Sequence, residues 1–243
     1  MSLDVVDLVD LVDASPTHRA LFDAAFATIL RPSFGSDELP DGDGIRTSLN
    51  GSGATVVSIA TEDGGPVGMA VTEYSTTTDI DLLGYLATRP GDRGRGVGAR
   101  LLDHLAERWR RRGVALALAE LHDPRAWPET TEERAVARVR FYARWGADVL
   151  DVPWVQPALQ PDLHRVPHML LSVLARAPED TMTVPAATVR AWADEYYAFT
   201  EGVLLGDAPD DQARALAARL GASDEVAVLP LADYDRVAPL PVG

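Results

Sequence analysis

The chain has 243 residues, 47% of them hydrophobic, and a formal net charge of −15. That length suits one large core or two small ones. The absence of any run of about 18 apolar residues argues against a membrane span, and the absence of cysteine excludes disulfides and thiol chemistry. All 22 basic residues are arginine, so Schiff-base chemistry at lysine is excluded too.

The charge is uneven. Residues 1–45 hold nine acids and two arginines, and residues 177–243 hold twelve acids and four arginines. Residues 46–176 balance sixteen against sixteen, so an anionic ligand fits only the middle and neither end suits nucleic acid. Met1-Ser2-Leu3-Asp4 leads into aspartates rather than an apolar export segment, so the expected compartment is the cytoplasm.

Asp4 to Asp13 carries an aspartate at every third position and predicts an edge strand. Ser15-Pro16 opens a helix over 17–30, with Leu21, Ala24, Ala25 and Ile29 on one stripe. Phe34 to Gly44 reads as an acidic loop, with room for a short helix at 36–39. Ala54–Thr61 and Pro66–Tyr74, separated by Glu62-Asp63-Gly64-Gly65, predict a β-hairpin. A strand over 80–88 follows, then a helix over 97–112 that buries Leu101, Leu102, Leu105 and Trp109. Its arginine-rich end before Gly113 matches the negative end of the helix dipole. A buried strand over 114–121, a helix over 131–145 and strands over 149–155 and 168–174 complete a mixed α/β sheet with helices on both faces. Ala177-Pro178-Glu179-Asp180 marks a boundary, giving a domain of residues 1–176 and an acidic C-terminal helical extension of residues 177–243. Within that extension Trp192, Tyr196 and Phe199 form a stripe that predicts docking on the main body or on a second copy in a homodimer, with a lid over a ligand as the alternative.

The chemistry centres on Arg93-Gly94-Arg95-Gly96-Val97-Gly98. Alternating glycines let backbone N–H groups approach a ligand closely, and the following helix presents its positive end, a combination that suits a phosphate. Arg93-x-x-Gly96-x-Gly98 resembles the Arg/Gln-x-x-Gly-x-Gly/Ala signature of the GNAT superfamily of N-acetyltransferases. Phe141-Tyr142-Ala143-Arg144-Trp145-Gly146-Ala147 resembles the second motif of that family, and the likeness covers roughly residues 10–176. It implies a GNAT-type fold and an acyltransferase that moves an acetyl or short acyl group from acyl-CoA to an amine, with acetyl-CoA as donor and no metal.

By that resemblance the diphosphate of CoA sits on the amides of Arg93, Gly94, Arg95, Gly96, Val97, Gly98 and Ala99, and the pantetheine runs along Leu86, Ala87 and Thr88. Tyr142 donates a proton to the departing thiolate; a phenol near pKa 10 and a thiol near 8 to 9 are suitably matched. The base for an incoming ammonium is Glu120, Glu73 or a water chain. Many members carry Asn and Ala where this chain has Ala135 and Arg138, and Arg138 can supply the missing contact by reaching a phosphate.

The acceptor implied is a small molecule, and a cationic one suits the acidic flanks. The loops at 34–44 and 123–131 are the expected acceptor side. Two other readings compete with it. A dinucleotide fold fails on the Gly94-x-Gly96-x-Gly98 spacing, whereas a non-catalytic acyl-CoA-binding module of the same fold stays open. Asp41-Gly42-Asp43-Gly44 and the His164/His168 pair lack the remaining ligands of calcium or zinc sites.

Overall fold

The computed structural model describes residues 3–34, 39, 42–127, 134–159, 163–208 and 211–238. The fold is mixed α/β, with a mostly antiparallel sheet and flanking helices. The chain divides into two compact units, residues 1–76 with 81–113, and residues 77–80 with 114–243.

The first unit orders its strands β1 (Asp4–Leu8), β2 (Thr55–Glu62), β3 (Gly65–Ser75) and β4 (Ile80–Thr88) side by side. Helix α1 (Pro16–Ala25) starts where the Ser15 hydroxyl accepts the His18 N–H at 3.2 Å, with proline in the first turn. It runs on as a π-helical segment over Phe26–Leu30. Helix α2 (Gly42–Ser48) begins inside the expected loop at 34–44 and continues over residues for which no element is predicted. Its glycines and aspartate obscure the signal, but Ile45 inside it and Leu49 just beyond are buried and pin it to the core. Helix α3 (Val97–Arg112) ends as predicted at Gly113, a residue with φ of 73°.

Alternation along the strands sends side chains to two layers. Val57, Ile59, Met69 and Val71 pack with Phe22, Phe26, Ile29 and Leu30, whereas Ala60 and Val67 pack with Val97 and Leu101 of α3. The hairpin turns on Asp63 and Gly64, both at positive φ, the geometry of a two-residue turn that matches strand twist. Register then slips. Ala60 pairs with Gly68 but Thr61 with Pro66, leaving Val67 as the extra residue of a bulge. Val67 and Gly68 consequently both turn toward α3.

The second unit contains β5 (Leu116–His122), α4 (Ala135–Trp145), β6 (Asp148–Leu150), β7 (Trp154–Gln156), β8 (Val166–Arg176), β9 (Thr183–Pro185), α5 (Ala186–Glu201), α6 (Asp211–Gly221) and β10 (Glu225–Pro230). Strand β8 pairs antiparallel with β5, β6 and β7, and β10 lies between β6 and β9. The single strand expected over 149–155 is two, split where Pro153 offers no N–H to a ladder.

The segment after Arg176 corrects the expected helical extension. It holds α5 and α6 but also β9 and β10, and β10 continues the sheet by pairing with β6. Residues 177–238 therefore share a compact unit with β5 to β8. Alternating Val226 and Val228 are buried, a period-two signal too short to stand out beside the helices. No helix among the described residues is long and apolar enough to cross a membrane.

Candidate active site

In the first unit, β4 ends at Thr88 and a 3-10 turn over Pro90–Asp92 leads into the loop at Arg93 to Gly96. Asp92 is buried and organises that loop. Its carboxylate takes the Arg89 Nε at 2.5 Å and the Arg95 guanidinium on its other oxygen. Those two arginines, Arg89 first, hold the Asp92 carboxyl below its ordinary range. Arg95 also reaches Glu62, at the end of β2, with Nη2 2.8 Å from Oε1.

Arg95, expected to balance phosphate charge, is thus already engaged by two carboxylates and works as a loop anchor. Arg93 makes no side-chain hydrogen bond or ion pair among the described residues, and it is exposed.

Gly94 and Gly96 adopt φ of 80° and 83°. Gly96 caps α3 without a side-chain hydrogen bond, and the first N–H to turn back is that of Arg100, onto the Gly96 carbonyl at 3.0 Å. The N–H groups of Val97, Gly98 and Ala99 therefore face outward without intrahelical acceptors. A Cβ placed on Gly94 or Gly96 would meet nothing within 4 Å. The surface is an open cradle of amides beside one uncommitted guanidinium, and its donor set fits a diphosphate. On β4, Ala87 is buried in the core beneath α1, while Leu86 and Thr88 are half-buried and Leu86 packs on the α3 side. Glu73 stands exposed near the end of β3.

The arginine-rich end of α3 is used internally. Arg110 and Arg111 pair with Glu107, and Arg112 bonds the Gly53 carbonyl at 3.0 Å while its guanidinium lies 3.4 Å from the Tyr74 ring centre.

In the second unit, Tyr142 lies on the buried side of α4, 6% exposed, edge-on to Phe141. Burial raises its phenol well above the ordinary value, and Arg138, one turn earlier, pulls the other way. Glu120, on β5, is half-buried and accepts three hydrogen bonds. Trp154 Nε1 donates to Oε1 at 2.6 Å, Gln156 Nε2 to Oε2 at 2.7 Å and the Tyr196 hydroxyl to Oε2 at 3.2 Å.

The sequence reading missed this gathering. The Trp192/Tyr196 spacing was visible, but nothing local connects α5 with a carboxylate 76 residues earlier. The stripe docks within its own unit at Trp192, which stacks on Trp154 at 5.3 Å, whereas Phe199 stays 84% exposed.

Asp123 caps its own turn, accepting the Arg125 amide at 2.9 Å and the Arg125 guanidinium, which also binds the carbonyls of Asp235 and Val237. Of the acidic loop, Asp43 sits in α2 beside Arg46, while Asp37, Glu38 and Asp41, like residues 128–131, lie outside the described residues. Among the described residues no group of three or more His, Asp or Glu is placed to hold a metal ion.

Residues 53–146 match the family model of the acetyltransferase (GNAT) domain. A search of the curated proteins found no match. Among solved structures the chain is similar to a GNAT-family acetyltransferase of Bacteroides thetaiotaomicron, with 22% identity and a TM-score of 0.52 over 71% of this chain and 86% of that one. It is similar to a tandem GNAT protein from the clavulanic acid biosynthesis pathway, with 22% identity and a TM-score of 0.50 over 64% and 46% of the two chains. The ribosomal-protein-S18-alanine N-acetyltransferase of Escherichia coli aligns at 18% identity and a TM-score of 0.49 over 74% and 99%. The stretch that matches the acetyltransferase (GNAT) domain model contains β4, the amide cradle, Glu120 and Tyr142.

Proposed function

We propose that this protein transfers an acetyl, or another short acyl, group from acyl-CoA to an amine by direct attack within a ternary complex. The observation that carries the reading is the cradle at 94–99, where outward amides and the uncommitted Arg93 meet at the positive end of α3. Acyl-CoA supplies an activated acyl carbon on a thioester, so no serine or cysteine nucleophile is required of the chain.

The chain's own residues divide the work. Amides of Gly96 to Ala99 and the Arg93 guanidinium hold the diphosphate, and the backbone of Leu86 and Thr88 guides the pantetheine. Arg138 contributes a second cation. Tyr142 stays protonated at every working pH because burial raises its phenol, so it always presents a hydrogen to the leaving sulfur. As the carbon–nitrogen bond forms and the carbon–sulfur bond breaks, the sulfur takes the electron pair and the Tyr142 proton, and the proton released by the acceptor nitrogen returns through water to the phenolate, which burial makes a strong base. Arg138 eases that transfer by stabilising negative charge on the phenol oxygen. The acceptor nitrogen loses its proton to water, and Glu120, fastened by three donors, serves as the anion that draws a cationic acceptor in.

Calorimetric titration with CoA and acetyl-CoA, followed by thiol release from acetyl-CoA in the presence of a panel of amines, tests the reading. Binding together with amine-dependent release upholds it. Binding without turnover by any amine would instead favour a non-catalytic acyl-CoA-binding module, and no binding at millimolar concentration removes both.

A further inference from the structure

Helix α3 packs on its sheet through apolar side chains, with Val97 and Leu101 against Ala60 and Val67. Such contacts press the helix down but say little about its place along its own axis, because apolar attraction has no direction. Arg108, one turn before the end of α3, supplies that direction. Its side chain is 15% exposed and reaches residues of β1, β2, β3 and β4. Nη1 donates to the Ser58 hydroxyl at 3.1 Å, and Nη2 donates to the Thr72 hydroxyl at 2.5 Å. Asp7 stands 3.7 Å from Nη1 and Asp81 3.6 Å from Nη2, so carboxylates on the first and fourth strands balance the charge. Ser58, Thr72 and Asp81 are no more than 2% exposed. The acids are fixed in turn. Asp7 accepts the Ser58 hydroxyl at 2.6 Å and lies 3.0 Å from His104 Nε2, and Asp81 accepts Trp109 Nε1 at 2.7 Å.

Hydrogen bonds, unlike apolar contacts, are satisfied only over a narrow range of separation and angle. A helix advances about 1.5 Å per residue, so sliding α3 by one residue would pull the guanidinium away from both hydroxyls. A buried charge stripped of its acceptors is costly, and the helix is held against that slide. Val97, Gly98 and Ala99 lie about three turns ahead of Arg108, roughly 15 Å along the same rod, and move with it. We propose that Arg108 is a positioning residue for the amide cradle. It fixes where along its axis α3 rests on the sheet, and through the helix it sets where the outward N–H groups of Val97, Gly98 and Ala99 stand. The bulge that turns Gly68 toward α3 sets how near the helix comes, and Arg108 sets how far along it lies. That the cradle receives the diphosphate of an acyl-CoA rests on the acyl-transfer reading; the tether itself does not.

The tether and its consequence for the ligand are tested separately. Amide hydrogen exchange of the ligand-free full chain is compared among wild type, Arg108→Met and Ile29→Val, a core truncation in the other layer of the unit. Ile29→Val is expected to speed exchange evenly through the unit, as a general loss of stability does. Arg108→Met is expected to speed the N–H groups of Arg100 to His104 about fivefold beyond those of β2. Even acceleration, or none, would make Arg108 a general stabiliser and overturn the proposal. Calorimetric titration with CoA then reads the cradle. The dissociation constant is expected to rise about tenfold in Arg108→Met, and about threefold in Thr72→Val, which keeps the side-chain shape and removes one bond. Ile29→Val is expected to stay within about twofold of wild type. Wild-type affinity in a folded Arg108→Met would overturn the proposal, because the cradle would then stand unmoved. Far-ultraviolet circular dichroism and thermal melts identify a variant that has unfolded; should Arg108→Met do so, Thr72→Val carries both comparisons. No CoA binding by the wild type would count against the acyl-transfer reading, and the exchange pattern would still decide the tether.

Discussion

Gly68 faces Val97 so closely that a Cβ built on the glycine would lie 2.6 Å from a Val97 methyl and 2.9 Å from a Leu101 methyl. The bulge at Val67 turns Gly68 toward α3, and the missing side chain lets the first turn of that helix settle on the sheet. The position of the outward amides at Gly96 to Ala99 thus depends on a strand residue some thirty positions earlier. Gly68→Ala is expected to cost about 1–3 kcal/mol by overpacking and to weaken CoA binding. Adding Val97→Ala should return part of both losses, a coupling that urea denaturation and calorimetry on the four proteins of the cycle would measure.

Arg93 and Arg95 are neighbours in the motif with different duties. Arg93→Ala is expected to raise the dissociation constant for CoA about tenfold, the effect of losing one charge-assisted contact, with an unchanged melting temperature. Arg95→Ala removes the partner of Glu62 and Asp92. It should lower both the melting temperature and CoA affinity. If the two variants behaved alike in both measurements, the division between ligand contact and loop anchor would be wrong.

For Tyr142→Phe, kcat is expected to fall about 100-fold, within the usual range for a general acid, while CoA affinity stays within about twofold. The wild-type phenol is held above its ordinary value by burial. Its ionisation should therefore produce no falling limb in kcat below about pH 10. A falling limb at lower pH that disappears in Tyr142→Phe would contradict this assignment.

Asp81 lies 2% exposed under α3, with one oxygen accepting Trp109 Nε1 at 2.7 Å and the other without a partner. Burial raises its carboxyl above the ordinary value, while Arg108, the Trp109 bond and Arg112 oppose that rise. Between the unfolded and folded values the folded protein binds the proton more tightly, so this group makes stability fall as pH rises through that window. Above the folded value the buried charge imposes its full cost. Asp81→Asn should therefore gain stability relative to wild type as pH increases from about 4 to 7. Urea denaturation of both proteins across that range would show it, and a difference independent of pH would refute it.

Much of the frame was legible in the sequence because local signals and tertiary demands coincide there. Ile80 to Thr88 is a run of strand formers ended by Arg89-Pro90, and Val97 to Arg112 combines a buried stripe with a glycine stop at Gly113; both elements have the predicted limits. The hairpin needed only Asp63-Gly64. Helix α2 and strand β10 escaped because their stability comes from burial against distant residues rather than from propensity. The left-handed backbone at Gly94 and Gly96 was legible, since a positive φ leaves its mark in glycine spacing. What Arg95 does was not, because Glu62 and Asp92 approach it only in the folded chain. The ring of donors around Glu120 was hidden for the same reason: Trp154, Gln156 and Tyr196 lie 34, 36 and 76 positions away.

Strand β10 covers a flank of β6 that would otherwise present bare N–H and C=O groups. Trimming the gene at codon 176 to isolate a minimal enzyme would uncover that flank and offer it to neighbouring molecules as a template for intermolecular pairing. Such a fragment should precipitate rather than behave as a smaller soluble catalyst. Domain-swapping or fusion work on this protein should accordingly leave residues 177–243 in place and attach its additions ahead of β1.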